Sequence, residues 1–298
     1  MASSKRDLRR RIRAVRNIEK ITQAMKMVAA AKLLKAQSRA VSARPFAREL
    51  SGVLSRLASR GEGHAAHPLL EQREVKTVAV VPVAADRGLC GSYNTNMIRK
   101  ANDLMTEIKA RTEGEGKPEK VILVPVGRRT RDFYRKRGYD IVRDYVGLGE
   151  EISFAQARSI ARTLADLFVK GEVDEVWVVY SEFINAMQQR PAAMKVLPVT
   201  PPAQAGTVAA GVPEHIYEPS PADVLSTLVP KYVEIQVYRA LLEAKASEQG
   251  ARMTAMGSAT DNAKELGEQY TLAMNRVRQA TITREIAELV GGAEALSK

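Results

Sequence analysis

Residues 5–44 contain neither glycine nor proline, and apolar side chains recur through them in steps of three and four: Leu8, Ile12, Val15, Ile18, Ile21, Met25 and Val28. That spacing is the seam of a coiled coil. A helix of this length reaches about 60 Å, more than a small globular domain spans. Pro45 is expected to bend or break it, although the pattern resumes at Phe46, Leu50, Val53, Leu54 and Leu57. A second stretch of the same kind closes the chain. It starts at Pro221 with Asp223 in its first turn, and Met256, Ala263, Leu266, Tyr270, Ala273, Val277 and Ala280 keep a heptad-like spacing along a rod of roughly 100 Å. Two amphipathic rods flanking one insert can bury their seams only against each other. Gly250, Gly257 and Gly267 each cost about 1 kcal/mol inside a helix, so close approach of a neighbouring backbone is expected at each.

Between the rods the pattern changes character. Residues 60–68 read as a loop. Residues 75–83 are a β-branched apolar run, 92–111 a helix, 120–126 a second strand, and 128–137 a short helix ended by Gly138. A further helix over 153–170 has Ser153 as its cap, followed by a buried strand at 173–180 and another at 194–199. Alternating strands and helices predict a doubly wound, largely parallel sheet. Residues 201–221, rich in Pro, Ala and Gly, are a linker or exposed loop. The expected class is α/β, a long antiparallel coiled coil of the N- and C-terminal helices with an inserted doubly wound domain. Its divisions are 1–58, 70–205, 206–221 and 222–298.

The net charge is +12, and it is unevenly placed. Residues 1–44 carry 13 Lys and Arg against Asp7 and Glu19, whereas residues 231–298 carry nine of each sign. A basic charge confined to one helical end suggests contact with an acidic partner surface, with a solvated helix face as the plain alternative. A nucleic-acid binder is the rival that the charge raises. It predicts aromatic platforms for bases, and aromatics are only 5% of the chain. Cys90 is the single cysteine, which excludes an internal disulfide or a CxxC site. No run of eighteen apolar residues occurs, and the N-terminus lacks the apolar stretch of a signal peptide, so a soluble protein in a reducing compartment is expected.

Catalytic signals are sparse. The segment Gly114-Glu115-Gly116-Lys117-Pro118 lacks the spacing and the Ser or Thr of a phosphate loop. His64 and His67 are three apart but sit in a Gly-rich loop without a nearby third ligand, and His215 is alone. Cys90 has no histidine near it in sequence and reads as a small packed residue. The best enzyme-like candidate runs from Asp86 to Asn94, at the carboxyl end of a strand where a doubly wound sheet binds ligands. It lacks the GxGxxG fingerprint and is read as an ordinary strand-to-helix turn, with an orphan α/β enzyme as the alternative. On the last helix, Arg276, Arg278, Gln279, Thr281, Thr283 and Glu285 form a dense set of directional polar groups before an apolar end at Ile286, Leu289 and Val290. An apolar tip on a free rod needs a partner to enclose it.

Three segments carry a resemblance. Lys20-Ile21-Thr22-Gln23-Ala24-Met25-Lys26-Met27-Val28-Ala29-Ala30, Asp86-Arg87-Gly88-Leu89-Cys90-Gly91, and Arg276-Val277-Arg278-Gln279-Ala280-Thr281-Ile282-Thr283-Arg284-Glu285-Ile286 resemble, in this order, the gamma subunit of the rotary F-type ATP synthase. The last continues through Glu288, Gly292 and Ala293. The resemblance implies a coiled-coil shaft, a Rossmann-like domain beside it, and one copy per complex. It implies as partners an alpha3beta3 hexamer, an epsilon subunit and the membrane c-ring, with no nucleic acid. The subunit couples ion-driven rotation of the c-ring to conformational cycling of the catalytic beta subunits. No catalysis and no cofactor belong to this chain, since ATP, ADP and Mg bind the alpha and beta subunits. Arg252, Gln279, Thr283, Glu285 and Met25 match positions that contact a beta subunit or affect coupling. Arg9, Arg10, Lys32 and Lys35 are basic residues placed to meet acidic lever loops. His215, Tyr217 and Glu218 match the foot facing the c-ring and epsilon. The lack of a transit peptide favours a bacterial protein on the cytoplasmic face of the plasma membrane, with a mature organelle form as the alternative, and Cys90 alone excludes the thiol control of the plastid form. Ser92 and Tyr93 depart from the Gly and Leu of many relatives, and residues 203–211 match no family hallmark.

Overall fold

A computed structural model describes residues 5–59, 67–111, 120–200 and 220–296. Helix α1 spans Lys5–Ser59 and α5 spans Pro221–Leu296. Between them come β1 (Thr77–Pro82), α2 (Tyr93–Lys109), β2 (Lys120–Leu123), α3 (Arg128–Arg135), α4 (Phe154–Val169), β3 (Glu175–Phe183) and β4 (Gln189–Leu197). The chain divides into two compact units, one of residues up to Val28 together with those from Met253, the other from Ala29 to Arg252.

In the larger unit the strand order is β2-β1-β3-β4. β1 pairs in parallel with both β2 and β3, and β4 runs antiparallel to β3. Alternation along β1 sends Val78 and Val80 to one face and Ala79, Val81 and Val83 to the other, as a strand buried on both sides requires. The first face is covered by Ala101, Leu104, Met105 and Ile108 of α2 and Tyr134 of α3. The second is covered by Ile160 and Leu164 of α4, by Ala40, Ala47, Leu50 and Leu54 of α1, and by residues from Leu225 to Ala244 of α5. Ser153 caps α4 in a full capping box with Gln156, which satisfies two otherwise orphaned amides.

Three expectations are corrected here. Helix α1 runs unbroken through Pro45, and Ala47, Leu50 and Leu54 pack in the same core as Ala40. That tertiary packing outweighs the local cost of the proline. The last strand starts at Gln189 rather than near Met194, and it forms a hairpin with β3 through Asn185, whose Oδ1 accepts from the amides of Met187 and Gln188. β4 is an edge strand, the place in a sheet that tolerates Pro191.

The third correction concerns the seam of α1. Leu8 and Ile12 are buried and Val15 half-buried, but the stripe then passes through Glu19, Thr22, Ala29 and Leu33. Ile18, Ile21 and Val28 are 51%, 59% and 53% exposed. In the smaller unit the partners across this stripe fix the direction of the pair. Arg11 lies over the ring of Tyr270, Val15 faces Gly267, Thr22 meets Thr260 and Lys26 faces Gly257. Numbers rise on one helix as they fall on the other, so this part is an antiparallel coiled coil.

Candidate functional site

The carboxyl end of β1 leads through Asp86 to α2, and Asp86 and Asn94 of the turn both have structural uses. Asp86 accepts hydrogen bonds from the amides of Arg128 at 2.9 Å and Gly147 at 3.1 Å. Asn94 Oδ1 accepts from the amide of Ala85 at 3.0 Å, and its Nδ2 donates to Cys90 Sγ at 3.1 Å. Gly127 is required beside it: its φ is +95°, and a side chain there would begin 2.1 Å from the carbonyl oxygen of Ala84. Burial is the main cause that raises the Cys90 thiol above its ordinary value, with Arg252 opposing and Glu248 reinforcing. A buried, protonated thiol is a poor nucleophile.

A doubly wound sheet binds ligands in the crevice beyond these strand ends. In this chain α5 fills it. Leu241, Ala244, Lys245 and Glu248 line what is left, about 30 Å³, against the roughly 300–1,000 Å³ of a ligand pocket. The filling is specific. Tyr93 donates its hydroxyl to the carbonyl of Ala244 at 3.1 Å, and Arg252 Nη2 donates to the carbonyl of Gly88 at 3.3 Å. Arg252 Nη1 also pairs with Glu248 at 2.6 Å, with side chains only 12% and 10% exposed. Arg252 is thus held inward by its own chain. The motif from Asp86 to Asn94 is a strand-to-helix turn that receives a helix.

The basic residues of α1 singled out from the sequence fall into two groups. Lys32 pairs with Glu150 at 2.8 Å, and Lys35 and Arg39 both pair with Glu151. These bonds hold both carboxyls below the usual carboxylate range, with the Lys32 hydrogen bond the largest cause at Glu150 and the Lys35 bond at Glu151. Arg9 and Arg10 are exposed, and neither forms an ion pair with a carboxylate among the described residues. Met25 is half-buried, while Gln279, Thr283 and Glu285 are exposed. They share the end of α5 with Ile282, Ile286, Leu289 and Val290, which are also exposed. His215, Tyr217 and Glu218, like His64 and the glycines at 114 and 116, lie outside the described residues. His67 caps a short 3₁₀ turn, its Nδ1 accepting from the amide of Leu69 at 3.1 Å.

Sequence reasoning missed Glu248, Lys245, Glu150 and Glu151. The i, i+4 spacing of Glu248 and Arg252 and the acidic pair in a glycine-bounded loop were available signals. Among the described residues no group of three or more His, Cys, Asp or Glu is placed to hold a metal. No described helix is long and apolar enough to cross a membrane.

A family model described as ATP synthase matches residues 4–296. An ATP synthase gamma chain of Heliobacterium modesticaldum is 54% identical over 98% of both chains. That of Desulfitobacterium hafniense is 51% identical over 99% of both. Among solved structures, a chain of the Tetrahymena thermophila mitochondrial ATP synthase central stalk and c-ring is 26% identical, with a TM-score of 0.59 over 80% of this chain and 99% of that one. A chain of the Euglena gracilis mitochondrial ATP synthase shares the fold at 18% identity, with a TM-score of 0.67 over 98% of this chain and 94% of that one. With a family model spanning nearly its whole length and curated relatives above half identity, this chain belongs to the ATP synthase gamma chain family.

Proposed function

We propose that this chain is the central-stalk rotor of an F-type ATP synthase, present once per complex, and that it transmits rotation of a membrane c-ring to the catalytic beta subunits of an alpha3beta3 ring. The observation that carries the reading is the crevice at the end of the sheet, where a nucleotide would sit in an α/β enzyme and where α5 sits instead. The domain grips a helix. On this reading catalysis and the binding of ATP, ADP and Mg belong to the surrounding subunits, and this chain needs no cofactor of its own.

The shaft contacts follow from what is free. Among the described residues Arg9 and Arg10 pair with no carboxylate, and Gln279 and Glu285 offer directional hydrogen bonds beside the exposed apolar residues of the same helix end, where the Thr283 hydroxyl already donates to the carbonyl of Gln279 and can only accept. Acidic lever loops of the beta subunits meet the cations. Met25, with the exposed Ile18, Ile21 and Val28, supplies apolar contact. Lys32 and Lys35 can join only by sharing or releasing Glu150 and Glu151. Arg252 acts on coupling through the turn at Gly88, which it holds. His215, Tyr217 and Glu218 face the c-ring and the epsilon subunit. The complex lies on the cytoplasmic face of the plasma membrane of a bacterium, and nucleic acid is not a partner.

Purification of the tagged chain from its host at low salt tests the reading. Recovery of a 3:3 alpha–beta ring supports it, as does a loss of coupled ATP hydrolysis when Gln279 and Thr283 are both replaced by alanine. A folded chain that brings down no such ring overturns it.

A further inference from the structure

A short acidic loop and a basic stripe of α1 meet in the larger unit. Lys32, Lys35 and Arg39 are spaced three and four apart, so they share one face of the helix. Lys32 pairs with Glu150 at 2.8 Å, and Lys35 and Arg39 converge on Glu151. The backbone that carries the two acids is fixed on both sides. Before them, Asp86 accepts from the amide of Gly147, and Gln156 Nε2 donates to the carbonyl of Leu148 at 2.9 Å. After them, Ile152 is buried and Ser153 caps α4. Within that frame the acids themselves are loosely held. The charged side chains of these pairs are between 36% and 62% exposed, and exposed ion pairs are weak and screened by salt. Helix α1 does not depend on them for its place, because Ala40, Ala47, Leu50 and Leu54 seat it in the core. Three cations face two carboxylates, so the stripe keeps a positive excess. On the same stretch of α1, Leu34 and Val41 are 70% and 52% exposed.

Resting on the rotor reading, we propose that Glu150 and Glu151 are an internal mask on α1: in the free chain they occupy Lys32, Lys35 and Arg39, and an acidic protein surface arriving on this face displaces them. The exchange swaps one set of carboxylates for another. It needs only side-chain rotation, because the loop backbone stays anchored on both sides. The released acids turn to water at positions that are already about half exposed. Masking lowers the affinity of the stripe for a lone carboxylate. A surface that presents several carboxylates in register, with apolar groups for Leu34 and Val41, is thereby preferred.

Two measurements test this. The first uses the isolated full chain, with a hexaglutamate peptide at low salt as the probe. Glu150→Gln with Glu151→Gln is expected to bind the peptide about three- to tenfold more tightly than wild type, the amount by which a few exposed pairs compete. Adding Lys32→Gln, Lys35→Gln and Arg39→Gln to the same chain should cancel that gain. Glu71→Gln with Glu172→Gln, which changes the net charge equally at exposed positions away from the stripe, should not reproduce it. The unmasked chain should melt close to wild type. A chain that melts far below wild type, gains no affinity, or gains as much from the Glu71 and Glu172 pair overturns the proposal. The second measurement is release from the alpha3beta3 ring of the host as salt is raised. The unmasked chain should leave the ring at higher salt than wild type, and a ring that holds it no more tightly overturns the proposal. A ring that binds no variant and no wild-type chain contradicts the rotor reading instead, and the peptide experiment still decides whether the stripe is masked.

Discussion

Thr260 donates its hydroxyl to that of Thr22 across 2.8 Å, joining α5 to α1 within their seam. Thr22 in turn lies within hydrogen-bond distance of the carbonyls of Ile18 and Glu19. A polar layer of this kind fixes the register of two helices whose apolar contacts tolerate sliding. Thr22→Val alone is expected to cost about 0.5–1 kcal/mol, because the half-buried Thr260 hydroxyl loses one of its two partners and keeps the carbonyl of Met256. The double change with Thr260→Val should cost less than twice that, since the two residues are coupled. Denaturant midpoints of the four proteins give the coupling energy directly.

Gly127 and Gly138 both have positive φ, yet their surroundings differ. At Gly127 a new side chain would collide with the backbone at Ala84, whereas at Gly138 nothing lies within 4 Å. Gly138→Ala is expected to cost about 1 kcal/mol from backbone strain alone. Gly127→Ala must also move a strand end, and a loss of about 4 kcal/mol or more puts it among the exceptional single changes. Thermal melts separate the two.

Glu175 is buried, which opposes its ionisation, but hydrogen bonds from Lys195, Trp177 and Arg111 outweigh burial and hold its carboxyl below the usual range. A depressed folded-state value means that the unfolded chain takes up the proton first as pH falls. Its stabilisation is complete above the unfolded value of about 4.3 and is lost as pH drops through the lower folded value. Glu175→Gln should therefore lower the melting temperature at pH 7 and narrow its gap from wild type below about pH 4.

Asp86 decides between the turn and the orphan enzyme. It accepts backbone hydrogen bonds from the exposed Arg128 and Gly147, so Asp86→Ala should cost about 1 kcal/mol of stability, the freed amides turning to water. Any fall in activity of the assembled complex should follow that stability and be recovered at lower temperature. An isolated wild-type chain with turnover of its own, abolished by this change, would favour the enzyme.

The architecture was legible because its signals are long. Forty residues without glycine or proline leave few choices, and β-branched runs separated by amphipathic helices specify a doubly wound sheet. Registers were less legible. Ile18 and Ile21 look like seam residues by hydrophobicity, but the buried stripe passes through Glu19 and Thr22, because a steady 3.5-residue repeat must continue to Ala29 and Leu33. Small residues made the same point at the glycines: the expected close backbone approach occurs at Gly250, while Gly257 and Gly267 face the side chains of Lys26 and Val15. At the candidate site the turn after β1 was visible, but not the helix that fills its crevice, since that contact joins residues more than 150 positions apart. The division of the α1 cations was equally hidden, because it depends on a loop acid pair whose neighbours in space are set only by the fold.

The most direct test of the rotor account is single-molecule observation of this chain within an alpha3beta3 ring from its own host, with a bead fixed to the α/β domain and the ring fixed to glass. The account predicts unidirectional rotation when ATP is added, stopping when ATP is removed. A ring that binds the chain and hydrolyses ATP while the bead only fluctuates would contradict it.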